Sequence, residues 1–217
     1  MDPRSSRLAA TSGVAFVVLF IVAVFMLDLA GHDDLDEAVN SFYAEAGNRA
    51  RVIVGAYMLA GAGLSFLWLT YHVRYRLHAA EGESGRLSDL GFASAVMFVI
   101  LMFALGATQG PTYAASIDFY DEPETRLTRI VPHQGYGMLA YGFLAAAVWV
   151  ASTSVIIRTT GIFPVWLSRV GFVVAVLLLP GLLFVPIFLS AIALIVWVLA
   201  VSFVLFRAGA VASDAVL

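Results

Sequence analysis

The residues best suited to chemistry in this sequence gather at the ends of its apolar stretches. Asp28, His32 and Asp33 follow the first stretch, Gln109 closes the third, and His133 and Gln134 open the fourth. Imidazole with carboxylate is a workable ligand set for zinc or a similar divalent ion, which makes Asp28, His32 and His133 the candidate metal ligands. Against that reading, the pattern His-Asp-Asp followed much later by Pro-His-Gln matches no defined metal motif, and membrane-boundary residues are polar in any protein. No serine or carboxylate stands at a spacing that marks it as a nucleophile or base. Arg49 and Arg51 suit an anionic head group or a carboxylate, and with Gln109 and Gln134 they make up the candidate ligand-binding set. The plainer reading of the two arginines is an interface anchor, or an ion pair with Glu45 or Asp36.

The other histidines offer less. A haem-binding bundle needs paired histidines at matched depth on different helices. His72 and His78 lie six residues apart on one predicted helix and so point to different faces, as interfacial or solvated side chains. Only His32 and His133 share a side and could meet. Tyr57, Trp68, Tyr71, Tyr136, Tyr141 and Trp149 could line a cleft for a lipid-like ligand, though aromatic residues at helical spacing in a bundle are more often packing. There is no cysteine, which excludes disulfides, thiolate metal sites and cysteine nucleophiles. No cofactor is expected.

These groups need a scaffold, and the composition says which kind. The 217 residues are 61% hydrophobic and 12% charged, far from the roughly half apolar and quarter charged of a soluble domain. A membrane-crossing helix takes about 20 mainly apolar residues, a length the chain offers repeatedly. The sequence predicts an all-α, polytopic transmembrane helical bundle: one integral membrane domain, 1–217, with six spans at about 8–29, 48–72, 88–109, 132–157, 166–183 and 187–206. The first stretch reads as a retained helix and not a cleaved signal peptide, because Asp28 suits a cleavage site poorly.

Several local signals refine this plan. Asp34 and Glu37 resemble a capping box, and Leu35, Val39, Phe42 and Ala46 recur at helical spacing, predicting a short amphipathic outer helix between spans 1 and 2. Helix 2 has no breaker before Gly82 and should run past the bilayer to about Ala80. Ala56, Ala60 and Gly63, with Gly55 and Gly61 beside them, let a neighbour approach its backbone closely, marking it as the centre of the bundle. Ser88 is the predicted N-cap of helix 3, and Pro132 a predicted bend in helix 4. All twelve basic residues are arginine. Eight of them (4, 7, 74, 76, 86, 158, 169 and 207) fall on one side of this plan and four (49, 51, 126 and 129) on the other, which places both termini in the cytoplasm.

The segment NRARVIVGAYMLAGAGLSFLWLTYHVRYRLHAAEGESGRLSDLGF, with the later RVGFVVAVLLLPGLLFVPIFLSAIALIVWVLAVSFVLF, resembles a group of small, uncharacterised six-helix membrane proteins of actinobacterial type. The likeness covers helices 2 to 3 and 5 to 6 and rests on layout and small-residue pattern. It implies an inner (plasma) membrane location and brings no activity and no functional residue.

The functional expectation follows from what the predicted spans lack. No Asp, Glu, His or Arg lies close to the span midpoints near Val18, Gly61, Val99, Ala146, Val176 and Ile195, so the usual mark of proton relays, ion pathways and buried catalysis is missing. No inverted repeat is evident. The leading expectation is a non-catalytic accessory or partner-binding subunit, in contact with membrane lipid and a larger membrane-protein complex. Small-residue seams on helix 2 and on helix 4, with Gly135, Gly142 and Ala146, motivate it. The alternative is a lipid or small-molecule carrier with an outer-facing pocket, and a third is an outer-face metal-dependent enzyme. The arginines sit singly or in pairs at helix ends, so no nucleic-acid partner is expected.

Overall fold

A computed structural model describes residues 3–27, 42–82, 84–109, 125–179 and 187–214. These form six helices and, among the described residues, no strand: α1 (Pro3–Leu27), α2 (Ala46–Glu81), α3 (Arg86–Gln109), α4 (Thr125–Thr160), α5 (Val165–Leu178) and α6 (Ile187–Asp214). Five of them, all but α5, are long and apolar enough to cross a membrane, the architecture of a multi-pass helical membrane bundle. At 14 residues α5 reaches only about 21 Å, short of the roughly 30 Å of a hydrocarbon core. Of the predicted span over 166–183, the α-helix runs to Leu178 among the described residues, and residues 180–183 lie outside them.

The helix ends follow from backbone chemistry. Pro3 opens α1, where its missing N–H costs nothing. Nothing breaks α2 for 36 residues, until Gly82 at φ 83° donates its N–H to His78 O at 3.3 Å and turns the chain out of the helix. Gly161 ends α4 in the same way, at φ 67° with its N–H on Ile157 O at 3.0 Å. Ser88 is not the N-cap of α3: it sits inside the first turn, and its hydroxyl donates back to Gly85 O at 2.8 Å. The cap comes from the end of α2, where the two Glu81 carboxylate oxygens accept the N–H groups of Leu87 (2.9 Å) and Ser88 (3.0 Å). A carboxylate at a helix N-terminus satisfies orphan donors and meets the positive end of the dipole. Pro132 lies within the continuous helix α4.

Each helix packs on its neighbours in sequence, and α6 closes back onto α1. Contacts fix the register. Gly13 of α1 meets Leu69 of α2, whereas Gly55 near the start of α2 meets Met26 and Leu27. Gly63 meets Val99 and Phe103 of α3, Gly91 of α3 meets Trp149 and Ser152 of α4, and Gly171 of α5 meets Ser154 of α4 and Trp197 of α6. Successive helices therefore alternate in direction. Gly13 also faces Ser202, so the start of α1 and the end of α6 share one end of the bundle.

The centre is α4, not α2. Besides its sequence neighbours α3 and α5, α4 touches α2 and α6, and 72% of its apolar span is buried against 39% for α2. The core is built from interlocking rings: Phe66 of α2 meets Phe16 (4.9 Å), Phe98 (5.1 Å) and Trp149 (5.0 Å), and Trp149 reaches Trp197 at 6.4 Å. The small residues of the predicted seams serve this internal packing. Gly55 and Gly61 admit α1, Gly63 admits α3, and Gly142 admits Phe98.

Candidate functional site

At the end of the bundle where α2 begins, the chain enters the helix through a knot of side chains on backbone. Arg49 Nη1 donates to Tyr43 O (2.7 Å) and Ala44 O (3.0 Å), and Asn48 Nδ2 donates to Phe42 O (3.0 Å) and Glu45 Oε2 (3.2 Å). Tyr43 is buried against Val52, and this burial pushes its phenol pKa up. Arg49 thus latches the entry turn. Arg51 is exposed and makes no ion pair among the described residues.

The structure places the remaining predicted site residues unevenly. Asp28 and His32 lie outside the described residues, as does most of the predicted outer amphipathic helix. Residues 42–44, which precede α2, are helical. Gln109 is the last residue of α3, and the backbone of His133 and Gln134 lies in the first third of α4. Thr108 Oγ1 lies 3.9 Å from the Met138 sulfur, a register that brings Gln109 and Gln134 to the same end of the bundle as Arg49 and Arg51. Among the described residues no three His, Asp or Glu side chains come close enough to hold a metal ion.

The opposite end is more elaborately built. Arg74 donates through Nε (3.0 Å) and Nη2 (2.8 Å) to Asp89 Oδ1, with its guanidinium over the Phe92 ring at 5.2 Å. His78 Nδ1 lies 3.3 Å from Ser88 Oγ and 3.9 Å from Asp89 Oδ1. Gly85, at φ 52°, lies under the His78 ring, where any Cβ would collide with it. With the Glu81 cap, these contacts tie α2 to α3 across the connection between them. The ion pair is half exposed and so contributes little on its own, about 0–1 kcal/mol.

His72 departs from the solvated reading given by residue type. It is 9% exposed and its Nε2 meets no hydrogen-bond partner. Arg76, one turn further along, is half-buried with its guanidinium over the Phe163 ring at 5.2 Å and its Nη1 buried and unpartnered. The sequence shows that His72 and Arg76 follow Leu69 at helical spacing and so share its face of α2; that this face meets α1 is set by the packing. Five of the six aromatic residues considered for a ligand cleft have described side chains, and these do not converge. Trp149 is in the core, whereas Tyr57, Trp68, Tyr71 and Tyr141 face outward.

The chain matches no family model, no curated protein and no solved structure.

Proposed function

We propose that this chain is a non-catalytic, partner-binding subunit of a larger membrane-protein complex. In this reading it spans the plasma membrane six times with both termini in the cytoplasm. The observation that carries it is the outward face of α2. Tyr57, Leu64 and Tyr71 recur every seven residues, and Gly61, Trp68 and Tyr75 recur between them, the seam of a helix that packs against another helix. Tyr57 is 76% exposed, and Leu64, Trp68, Tyr71 and Tyr75 are exposed beside it.

Lipid-facing surfaces elsewhere on the bundle are largely aliphatic, as at Val173 and Val176 on α5 or Ile192 and Val196 on α6. By contrast, α2 carries four of the six exposed tyrosine and tryptophan residues among those described. Such rings are large contact surfaces with a polar tip that seeks a partner, and they dominate protein interfaces. The partner class is accordingly a transmembrane helix of another protein. The small-residue seams do not serve this purpose, because they are used inside the bundle. A ring-filled core likewise gives no support to the carrier reading.

The six-span topology draws support from the alternation of the helices, which gathers arginines 4, 7, 74, 76, 86, 158, 169 and 207 at one end. The sequence between Val170 and Phe188 stays apolar, so the short α5 sits within a longer apolar run.

The test is native mass spectrometry of the protein extracted gently from its own membrane, with a photo-crosslinking amino acid at position 68. A stoichiometric protein partner that crosslinks at 68 and is lost in Trp68→Ala/Tyr71→Ala supports the reading. Isolation of the wild type as a monomer or homo-oligomer, or a partner retained by the double variant, overturns it.

A further inference from the structure

His72 and Arg76 stand four residues apart on one face of α2, each with a buried nitrogen that has no hydrogen-bond partner. Buried polar nitrogens are nearly always satisfied, so two on one face call for a shared partner. The protein does not supply one among its described residues. Among the described residues the only carboxylate in ion-pair reach of an α2 cation is Asp89, which holds Arg74 at 2.8 Å and lies 3.9 Å from His78 Nδ1. Phe163 covers one side of the Arg76 guanidinium and offers no acceptor in its plane.

The stretch of α1 that the helix register sets against the pair carries small residues. Gly13 of α1 faces Leu69, and Leu19 faces Gly61. Carried on, this antiparallel register sets Ala10 opposite His72 and Ser6 opposite Arg76, both buried and both short. Arg76 Nη1 is a donor in every state, and a His72 imidazole that carries its proton on Nε2 is a second, so a group of acceptor oxygens would meet both, and the fixed guanidinium charge favours an anion. A planar guanidinium with an adjacent imidazole N–H fits the oxygens of a phosphate group. Depth agrees with this chemistry. Measured from Arg51, the last interface arginine at the other end, His72 lies about 32 Å along α2, at the far edge of a roughly 30 Å hydrocarbon core and so next to the head groups.

We propose that His72 and Arg76 form a phosphate-binding site at the arginine-rich end of the bundle, between α1 and α2. The occupant is either the phosphodiester of an anionic phospholipid or free phosphate, since both present the same oxygens. The site is independent of the outward face of α2 and stands whether or not a partner binds there.

The experiment measures thermal unfolding of delipidated protein in detergent. One arm titrates inorganic phosphate against chloride at matched ionic strength. The other adds phosphatidylglycerol to the micelles against diacylglycerol, which lacks the phosphate. A rise in midpoint with both probes supports the site and makes free phosphate a ligand. A rise with phosphatidylglycerol alone supports it and assigns the head group. His72→Gln and Arg76→Gln should each weaken the response about tenfold or more, the usual consequence of losing a charge-assisted hydrogen bond. Arg76→Lys keeps the charge without the fork, and it carries the test if the glutamine variant does not fold. Arg207→Gln, an exposed arginine at the same end, should respond as the wild type does. The proposal is overturned by the absence of any rise in the wild type, by a full response in the His72 and Arg76 variants, or by equal loss in Arg207→Gln.

Discussion

Gly171 lies flat against the indole of Trp197: a Cβ at that position would come within 2.7 Å of ring atoms Cζ3 and Cη2 and would collide with Ser154 Oγ. One glycine therefore sets how closely α5 docks against both α4 and α6. Around it, Ser168 Oγ donates to Ser154 O at 2.9 Å, and Ser190 Oγ donates to Leu177 O at 3.1 Å. Short side chains and hydroxyls bonded to carbonyls are the means by which helices associate where lipid removes the hydrophobic drive.

Gly171→Ala should destabilise the bundle by about 1–3 kcal/mol, because neither the Trp197 ring nor the Ser154 hydroxyl can withdraw without leaving its own packing. Gly171→Leu should prevent α5 from docking. Denaturant titration in mixed micelles measures the first. A protease-accessible α5 in the second would show that docking, and not synthesis, had failed. A wild-type midpoint for Gly171→Ala would mean that α5 sits further from α6 than described.

Trp149 joins the Phe66 and Trp197 rings at the centre of the core. Trp149→Ala should cost about 3–5 kcal/mol, the range for deleting a large buried aromatic side chain. Trp68→Ala, on a neighbouring helix but exposed, should leave the midpoint within about 0.5 kcal/mol of wild type. Equal losses in the two would contradict the assignment of one ring to the core and the other to the surface.

How far the sequence alone leads is clear from these helices. The length of α2 was legible because only a breaker ends a helix, and none occurs before Gly82. The helical character and apolar lengths of the bundle were legible for the same local reasons. The central place of α4 was not, since its residues and those of α2 are equally rich in small side chains and only the packing ranks them. Ser88 has the residue type of a cap, yet Glu81 takes that role from seven residues upstream, a contact created by the turn at Gly82 and Gly85. Residue type also argued for a solvated His72, where position on the α1-facing side decides. Of the outer candidate site, the latch made by Arg49 needed the fold of residues 42–45, which no spacing announces.

The Arg74 and Asp89 pair gives a prediction about magnitude. Asp89→Asn should cost less than about 1 kcal/mol, because the pair is half exposed and screened by salt. High salt should shrink that difference further. The exchange Arg74→Asp/Asp89→Arg should recover part of what either single change loses, which a double-mutant cycle measures. A loss of several kcal/mol in Asp89→Asn would instead mean that the pair and His78 act as one buried network.

Glu81 acts on the same connection through backbone, and its removal should be felt differently. Glu81→Ala leaves the Leu87 and Ser88 N–H groups without their carboxylate and should cost about 1 kcal/mol, as loss of a helix N-cap does. Glu81→Gln keeps an acceptor while removing the charge that faces the helix dipole, so it should fall between wild type and alanine. Amide hydrogen exchange distinguishes this from a general loss of stability. Protection should fall at residues 87 and 88 in Glu81→Ala while the core of α4 around Trp149 stays protected, because a cap governs fraying of one helix end and not the packing of the bundle. Uniform loss of protection across α3 and α4 would show that the α2–α3 connection holds the whole bundle together, a larger role than its two hydrogen bonds support.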